Sequence, residues 1–123
     1  MRYATHDDTP AIVKLARPFV DQHPMLRRVV ITDEQMAGVF DNIIDRGVII
    51  LAEAIDGGLV GMLAGCIAPL WIAPHTVVAA ELAWWMDPAH RHGMTAVRMV
   101  RAFEEVSARP VPTQVVHQPC LLL

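Results

Sequence analysis

Residues Glu81 to Glu105 read ELAWWMDPAHRHGMTAVRMVRAFEE. Their first part ends a β-rich apolar run that begins at Val78, and Asp87-Pro88 closes it at Met86, since proline cannot donate to a strand ladder. His90-Arg91-His92-Gly93 is a basic turn. From Met94 to Ala108, the residues Ala96, Met99, Val100, Phe103 and Ser107 recur at helical spacing. Arg101 and Glu105 stand four apart on the outer face, an arrangement that predicts an ion pair worth about 0.3–0.5 kcal/mol. A strand, a basic turn and a helix opening on the small residues Thr95 and Ala96 together make a place for an anion. The first N–H groups of a helix have no backbone partner, and the helix dipole puts partial positive charge beside them. Arg91 stands where it adds a full charge.

The rest of the chain is arranged around this segment. Upstream, Val48 to Ile55 is β-rich, Asp56-Gly57-Gly58 is a turn signal, and Leu59 to Ile67 reads as the return strand. Pro69 to His75 reads as a loop before the strand at Val78. Arg2 to Thr5 is a short first strand. Asp8-Thr9-Pro10 starts a helix, with Asp8 or Thr9 as the capping side chain and proline in the first turn. Its apolar face is Ile12, Leu15, Ala16, Phe19 and Val20, and Pro18 is expected to kink or end it. A second helix begins at Thr32, where Thr32-Asp33-Glu34-Gln35 is a capping box. Met36, Val39, Phe40, Ile43 and Ile44 form its face and Gly47 its stop. Downstream, Pro110 and Pro112 end the last helix, and Val115-Val116 begins a final strand that could lie parallel to the one ending at Met86. The order β-α-α-β-β-β-α-β predicts an α+β, or mixed α/β, domain with a mostly antiparallel central sheet.

A chain of 123 residues is expected to form one domain, residues 1–123. A hydrophobic content of 54% excludes a disordered chain, and a net charge of -3 offers no basic excess for nucleic acid. Cys66 and Cys120 form neither a CxxC motif nor a disulfide framework, which reads as two reduced thiols in a cytoplasmic protein. The opening MRYATHDDTP has no basic region followed by an apolar run, so no signal peptide is expected. From Gly57 to Ala80 no Asp, Glu, Lys or Arg occurs, a run long enough to span a bilayer. Its glycines, Pro69, Pro74 and the opening turn favour two buried strands instead.

The Arg91 segment resembles the acyl-CoA site of the GNAT superfamily of N-acetyltransferases. Their hallmark is a strand, a proline and then Gln/Arg-x-x-Gly-x-Gly/Ala opening a helix. It aligns here as Arg91-His92-Gly93-Met94-Thr95-Ala96, with Arg91 and Ala96 matching and Met94 in place of the first glycine. The opening strand and helix and the two-helix, three-strand middle fit as well. The resemblance implies a GNAT-like fold that matches to about His117 and lacks the family's last helix and two strands, with the only tyrosine, Tyr3, far from the family's position for protonating the leaving thiolate. It also implies acetyl-CoA as acyl donor, with the N–H groups of His92, Gly93, Met94, Thr95 and Ala96 around the pyrophosphate and Arg91 adding charge. The exposed edge of Trp84, Trp85 and Met86 would pair with the pantetheine amides. Glu81 would be the general base, with Glu53 a weaker alternative.

Each candidate has a plainer reading. Glu81 could face solvent and Arg91 could be a solvated turn residue. His90 and His92 lack a third partner at metal-binding spacing and read as surface histidines, so no metal is expected. Trp84 and Trp85 point to opposite faces, with core packing the simpler expectation for both. Trp71 could shape an acceptor pocket, and His75 or His117 could approach the acyl group. Cys66 reads as a small hydrophobe, and Cys120 as the more reactive thiol.

These readings converge on transfer of an acetyl group from acetyl-CoA to a primary amine, on a small molecule or peptide, by direct attack. An uncovered sheet edge predicts a homodimer. The alternatives are a non-catalytic GNAT-fold remnant that binds CoA or a protein, and a small membrane protein using residues 57–80.

Overall fold

The computed structural model describes residues 1–108 and the backbone of residues 115–118. The positions expected to end the last helix, Pro110 and Pro112, lie outside the described residues, as do Cys120 and the side chain of His117. One sheet runs in the order β1 (Arg2–Tyr3), β2 (Gly47–Glu53), β3 (Leu59–Leu70), β4 (Ala73–Met86) and β5 (Val115–Gln118). The first four strands pair antiparallel, and β5 pairs parallel with β4. Helices α1 (Thr9–Gln22) and α2 (Asp33–Arg46) connect β1 to β2, and α3 (Thr95–Ser107) connects β4 to β5. This is the order read from the sequence, and the architecture is α+β.

The sheet divides two cores. Ile12, Ala16 and Val20 of α1 and Met36, Phe40 and Ile43 of α2 pack on Ile49, Leu51, Met62 and Ala64. Met99 and Phe103 of α3 pack on the opposite face, against Ile50, Ala52, Leu63, Ala79 and Met86. Alternation along β2 and β3 sends successive side chains to the two cores, which is why both strands are apolar throughout. Gly65 sets how closely α3 approaches. A Cβ there would lie 2.4 Å from Phe103 Cε2 and 2.9 Å from the Ala80 carbonyl oxygen, so the phenyl ring occupies the space a side chain would need.

The capping box of α2 forms as expected. The Gln35 N–H donates to Thr32 Oγ1 at 3.1 Å, and the Thr32 N–H donates to Gln35 Oε1 at 2.9 Å. Other local expectations are corrected. Pro18 does not end α1, which continues to Gln22. The buried Val20 and the contact of Phe19 with Trp85, 5.7 Å between ring centroids, hold the last turn against the loss of one backbone bond. Asp8 does not cap α1 with its side chain, because its carboxylate accepts from the Thr5 N–H at 2.8 Å and from Arg2. The loop expected at 69–75 is instead a long hairpin in which only Trp71-Ile72 separates the strands. Its prolines are tolerated because Pro69 lies past the last β2 pair, Gly47 with Cys66, and Pro74 lies before the first β5 pair, Val77 with Val115. Arg101 and Glu105 make no ion pair among the described residues. The run 57–80 supplies β3 and the first part of β4, and no helix among the described residues is long and apolar enough to cross a membrane.

Charged side chains tie the N-terminus to the sheet and to α2. Arg2 donates to Glu53 at 2.6 Å and to Asp8 at 2.7 and 2.8 Å. The Arg2 bond draws the Asp8 carboxyl down to about 2 from its ordinary 3.8. His6 lies between Asp41 at 3.0 Å and Asp45 at 2.6 Å, and these two carboxylates raise its pKa. The Thr9 hydroxyl first, then His6, lowers that of Asp41.

Candidate active site

The site is built on the second half of β4. β5 pairs only with Val77 to Ala80, so beyond Ala80 no described strand covers that edge of β4. The register explains which way the side chains point. Glu81 opposes Gly65 and Ala83 opposes Ala64, so Leu82 is an extra residue, a β-bulge. Cross-strand partners share a face. Glu81 therefore shares the α3 face with Gly65, which meets Phe103. Leu82 and Ala83 both pack on the α1–α2 core. After the bulge the alternation resumes, with Trp84 opposite Leu63 on the α3 face and Trp85 opposite Met62 on the other. A bulge also increases local twist. It lies two residues beyond Ala80, the last β5 pair, where the uncovered edge has begun.

The turn after β4 is closely specified. The Asp87 side chain accepts from the Ala89 N–H at 3.0 Å and caps a short 3₁₀ turn, Pro88–His90. Gly93 has φ +92°, a left-handed conformation that side chains disfavour, and it turns the chain into α3. No side chain caps α3. Met94 is at the N-cap and is 52% exposed. Arg91 folds back over the strand it follows. Its Nε donates to the Met86 carbonyl at 3.0 Å, and its guanidinium carbon lies 4.8 Å from the centroid of the Trp85 ring. A guanidinium over an aromatic face is attracted by the ring quadrupole, so the cation is held at the end of the open edge.

Trp85, Met86 and Arg91 thus come together, with His92 to Ala96 following them into α3. Glu81 is half-buried further back on the same strand. Glu53 is not part of this group, because it stands at the end of β2 and is bonded to Arg2. His75 is exposed near the hairpin tip, and His90 and His92 are exposed in the turn. No group of metal-binding side chains occurs among the described residues. Core packing fails for Trp84, which is 39% exposed, and Trp71 is 80% exposed at the hairpin tip, lining no described cleft. Cys66 is half-buried beside a small cavity of about 130 Å³ under α3.

One feature has no counterpart in the motif. A cleft of about 460 Å³ lies beside the same end of β4 on the α1 side, lined by Lys14, Leu15, Pro18, Gln22, Trp85 and Asp87 among others. Of the α1 residues that line it, Lys14, Pro18 and Gln22 are exposed, whereas Leu15 also packs on the core. Their helical spacing is visible in the sequence, but without the tertiary fold nothing shows that they meet Trp85.

No family model matches the sequence, and no curated protein does. Solved structures are similar in fold. A possible acetyltransferase from Clostridium difficile 630 matches with a TM-score of 0.74 at 8% identity, over 98% of this chain and 77% of that one. A predicted acetyltransferase with acetyl-CoA from Clostridium acetobutylicum gives 0.72 at 16% identity, over 98% and 80%. An aminoglycoside N-acetyltransferase in complex with CoA gives 0.74 at 14% identity, over 98% and 76%.

Proposed function

We propose that this chain, which has the fold of the GNAT N-acetyltransferases, is an acyl-CoA-dependent acetyltransferase acting on a primary amine. The observation that carries the reading is the open edge of β4 ending at a pinned arginine. An unpaired strand edge offers alternating N–H and C=O groups to an extended amide-bearing arm. Trp84 to Met86 would pair with the pantetheine amides, and Arg91 with the N–H groups of His92 to Ala96 would take the pyrophosphate. The Met86 carbonyl already accepts from Arg91, so its remaining lone pair is what an arm could use.

In this reading the amine nitrogen attacks the carbonyl carbon of the acetyl thioester. The C–N bond forms, the C–S bond breaks, and the CoA thiolate leaves and is protonated. Glu81 accepts the proton that the amine sheds, directly or through water. A positioned base of this kind contributes about 10²–10⁴-fold.

Calorimetric titration of acetyl-CoA tests the reading. Binding in the micromolar range is expected. Arg91→Ala should weaken it by about ten- to a hundredfold, the range for hydrogen bonds to a charged group. Thiol release with a panel of amines should follow, and Glu81→Gln should lower turnover while leaving binding intact. Absence of binding at millimolar acetyl-CoA refutes the reading. Binding without turnover on any amine favours the CoA-binding module instead.

A further inference from the structure

We infer that the tip of the β3–β4 hairpin, Leu70-Trp71-Ile72, seats this protein on the interfacial layer of a phospholipid bilayer. The inference goes beyond the acyl-CoA reading and does not rest on it. The hairpin outruns the rest of the sheet. On one side the last β2 pair is Gly47 with Cys66, and on the other the first β5 pair is Val115 with Val77. Trp71 lies five residues past Cys66. At ~3.3 Å per residue the tip therefore stands roughly 15 Å beyond β2. An interfacial element sinks by only about 5–10 Å, so the tip can enter before β2 reaches the headgroups.

The chemistry of the tip suits that boundary. Trp71 is 80% exposed, Ile72 70% and Ile67 47%. No Asp, Glu, Lys or Arg occurs from Gly57 to Ala80, so insertion takes no charged side chain of this run out of water. Trp71 combines an apolar body with one N–H, which places indole rings between acyl chains and headgroups. Arg46 is exposed at the end of α2, at the base of the hairpin where Gly47 meets Cys66, and so stands on the headgroup side of the tip. Its neighbour Asp45 is engaged by His6. A second copy suits the tip less well. A stable pair buries about 800 Å² on each partner. An aromatic side chain offers about 150–250 Å², and Trp71 with its aliphatic neighbours falls short of that need. Strand addition is also disfavoured. Pro69 lies past the last β2 pair and Pro74 before the first β5 pair, and proline brings no N–H to a ladder. The seat leaves the proposed donor site in water, because β4 runs from Ala73 beside the tip to Met86, a span of roughly 40 Å.

Flotation of the whole chain with phosphatidylcholine vesicles tests the inference. The protein should float with the vesicles, to the same extent at about 0.1 and about 1 M salt, because burial of uncharged side chains is not screened. Its Trp emission should shift to the blue on adding vesicles, and Trp71→Phe should abolish that shift. Trp71→Ser combined with Ile72→Ser should lower the partition coefficient by about tenfold or more, since burying one large apolar side chain is already worth about that factor. Both residues are exposed, so the Tm of the double variant should equal that of the parent. No flotation of the parent, equal flotation of the double variant, or flotation abolished by high salt overturns the inference. So does a parent that sediments as a dimer without binding vesicles and becomes monomeric in the double variant, which would assign the tip to a second copy. Each of these results leaves the acyl-CoA reading standing.

Discussion

Gly65→Ala should loosen α3 from the sheet and disturb Glu81 in the same step. The added Cβ would stand 2.4 and 2.7 Å from Phe103 Cε2 and Cζ and 2.9 Å from the Ala80 carbonyl oxygen. All three are closer than real carbon contacts allow. The ring cannot withdraw cheaply, since Phe103 is 2% exposed. The carbonyl belongs to the β3–β4 ladder, so moving it strains the backbone beside the Leu82 bulge. Overpacking typically costs about 1–3 kcal/mol, and two rigid obstacles put this substitution at the upper end, about 2–3 kcal/mol. For a chain of this size that lowers Tm by roughly 8–15 °C. Thermal unfolding followed by circular dichroism measures it. Gly65→Ala combined with Phe103→Leu should recover part of the loss, because the shorter side chain removes the ring atoms in conflict. Glu81 is the cross-strand partner of Gly65, so turnover should fall in the single variant even well below its Tm. A Tm within 2 °C of the parent would refute the claim that the Phe103 ring fills the place of a side chain at Gly65.

Thr32→Ala removes one half of the α2 capping box and should cost about 1 kcal/mol by urea unfolding, with Thr32→Ser close to the parent. Gly93→Ala must hold a side chain at φ +92°, although nothing lies within 4 Å of the new Cβ, so a loss of about 1–2 kcal/mol from backbone strain alone is expected, with Gly93→Asn milder. The carboxyl of Asp8 titrates near 2 in the fold against 3.8 ordinarily. Its stabilisation is therefore complete above 3.8 and is lost as the pH falls through 2, and Asp8→Asn should flatten that part of a Tm-against-pH curve. The pKa of His6 is raised, so its contribution is complete below 6.5 and is lost as the pH rises through the folded value. A His6→Asn chain whose Tm falls as steeply as the parent's across that interval would contradict the Asp41–His6–Asp45 bridge.

The parts of this fold that could be read in advance are those governed by neighbours in sequence. The Thr32 cap, the Asp56-Gly57-Gly58 turn and the apolar faces of all three helices depend on spacings of a few residues. What could not be read depends on distant partners. Pro18 looks like a helix end until Phe19 is seen against Trp85. Pro69 and Pro74 look like a loop until the ends of β2 and β5 show that each stands on an unpaired stretch of edge. Arg91 was legible as a cation in the right place, but its direction was not. Its bond to Met86 and its position over Trp85 follow from the tight turn through Asp87 and Gly93. The cleft was hidden for the same reason, since it belongs jointly to α1 and to the end of β4.

The Leu82 bulge connects these features. Without an extra residue, Glu81 on the α3 face would be followed by Leu82 on the α1 face, Ala83 on the α3 face and Trp84 on the α1 face. The bulge sends Leu82 and Ala83 to the same core, which exchanges the faces of Trp84 and Trp85. Trp85 thereby reaches Phe19, Arg91 and the cleft, while Trp84 stays beside Glu81's face with 39% of its surface exposed. Deleting Leu82 takes away the extra residue together with the bulge, and would therefore leave Ala83 opposite Ala64, Trp84 opposite Leu63 and Trp85 opposite Met62, so each keeps its face. What is lost is one half-buried apolar side chain and the bulge's extra twist just past the last β5 pair. The expected result is a folded chain with reduced Tm in which Trp85 still lies beneath Arg91. Its acetyl-CoA affinity should fall by less than Arg91→Ala lowers it. A loss as large as that of Arg91→Ala would show that the twist of the bulge is needed to bring Trp85 beneath Arg91. A loss smaller than that would leave the bulge a matter of core packing and twist, with the Arg91–Trp85 contact intact.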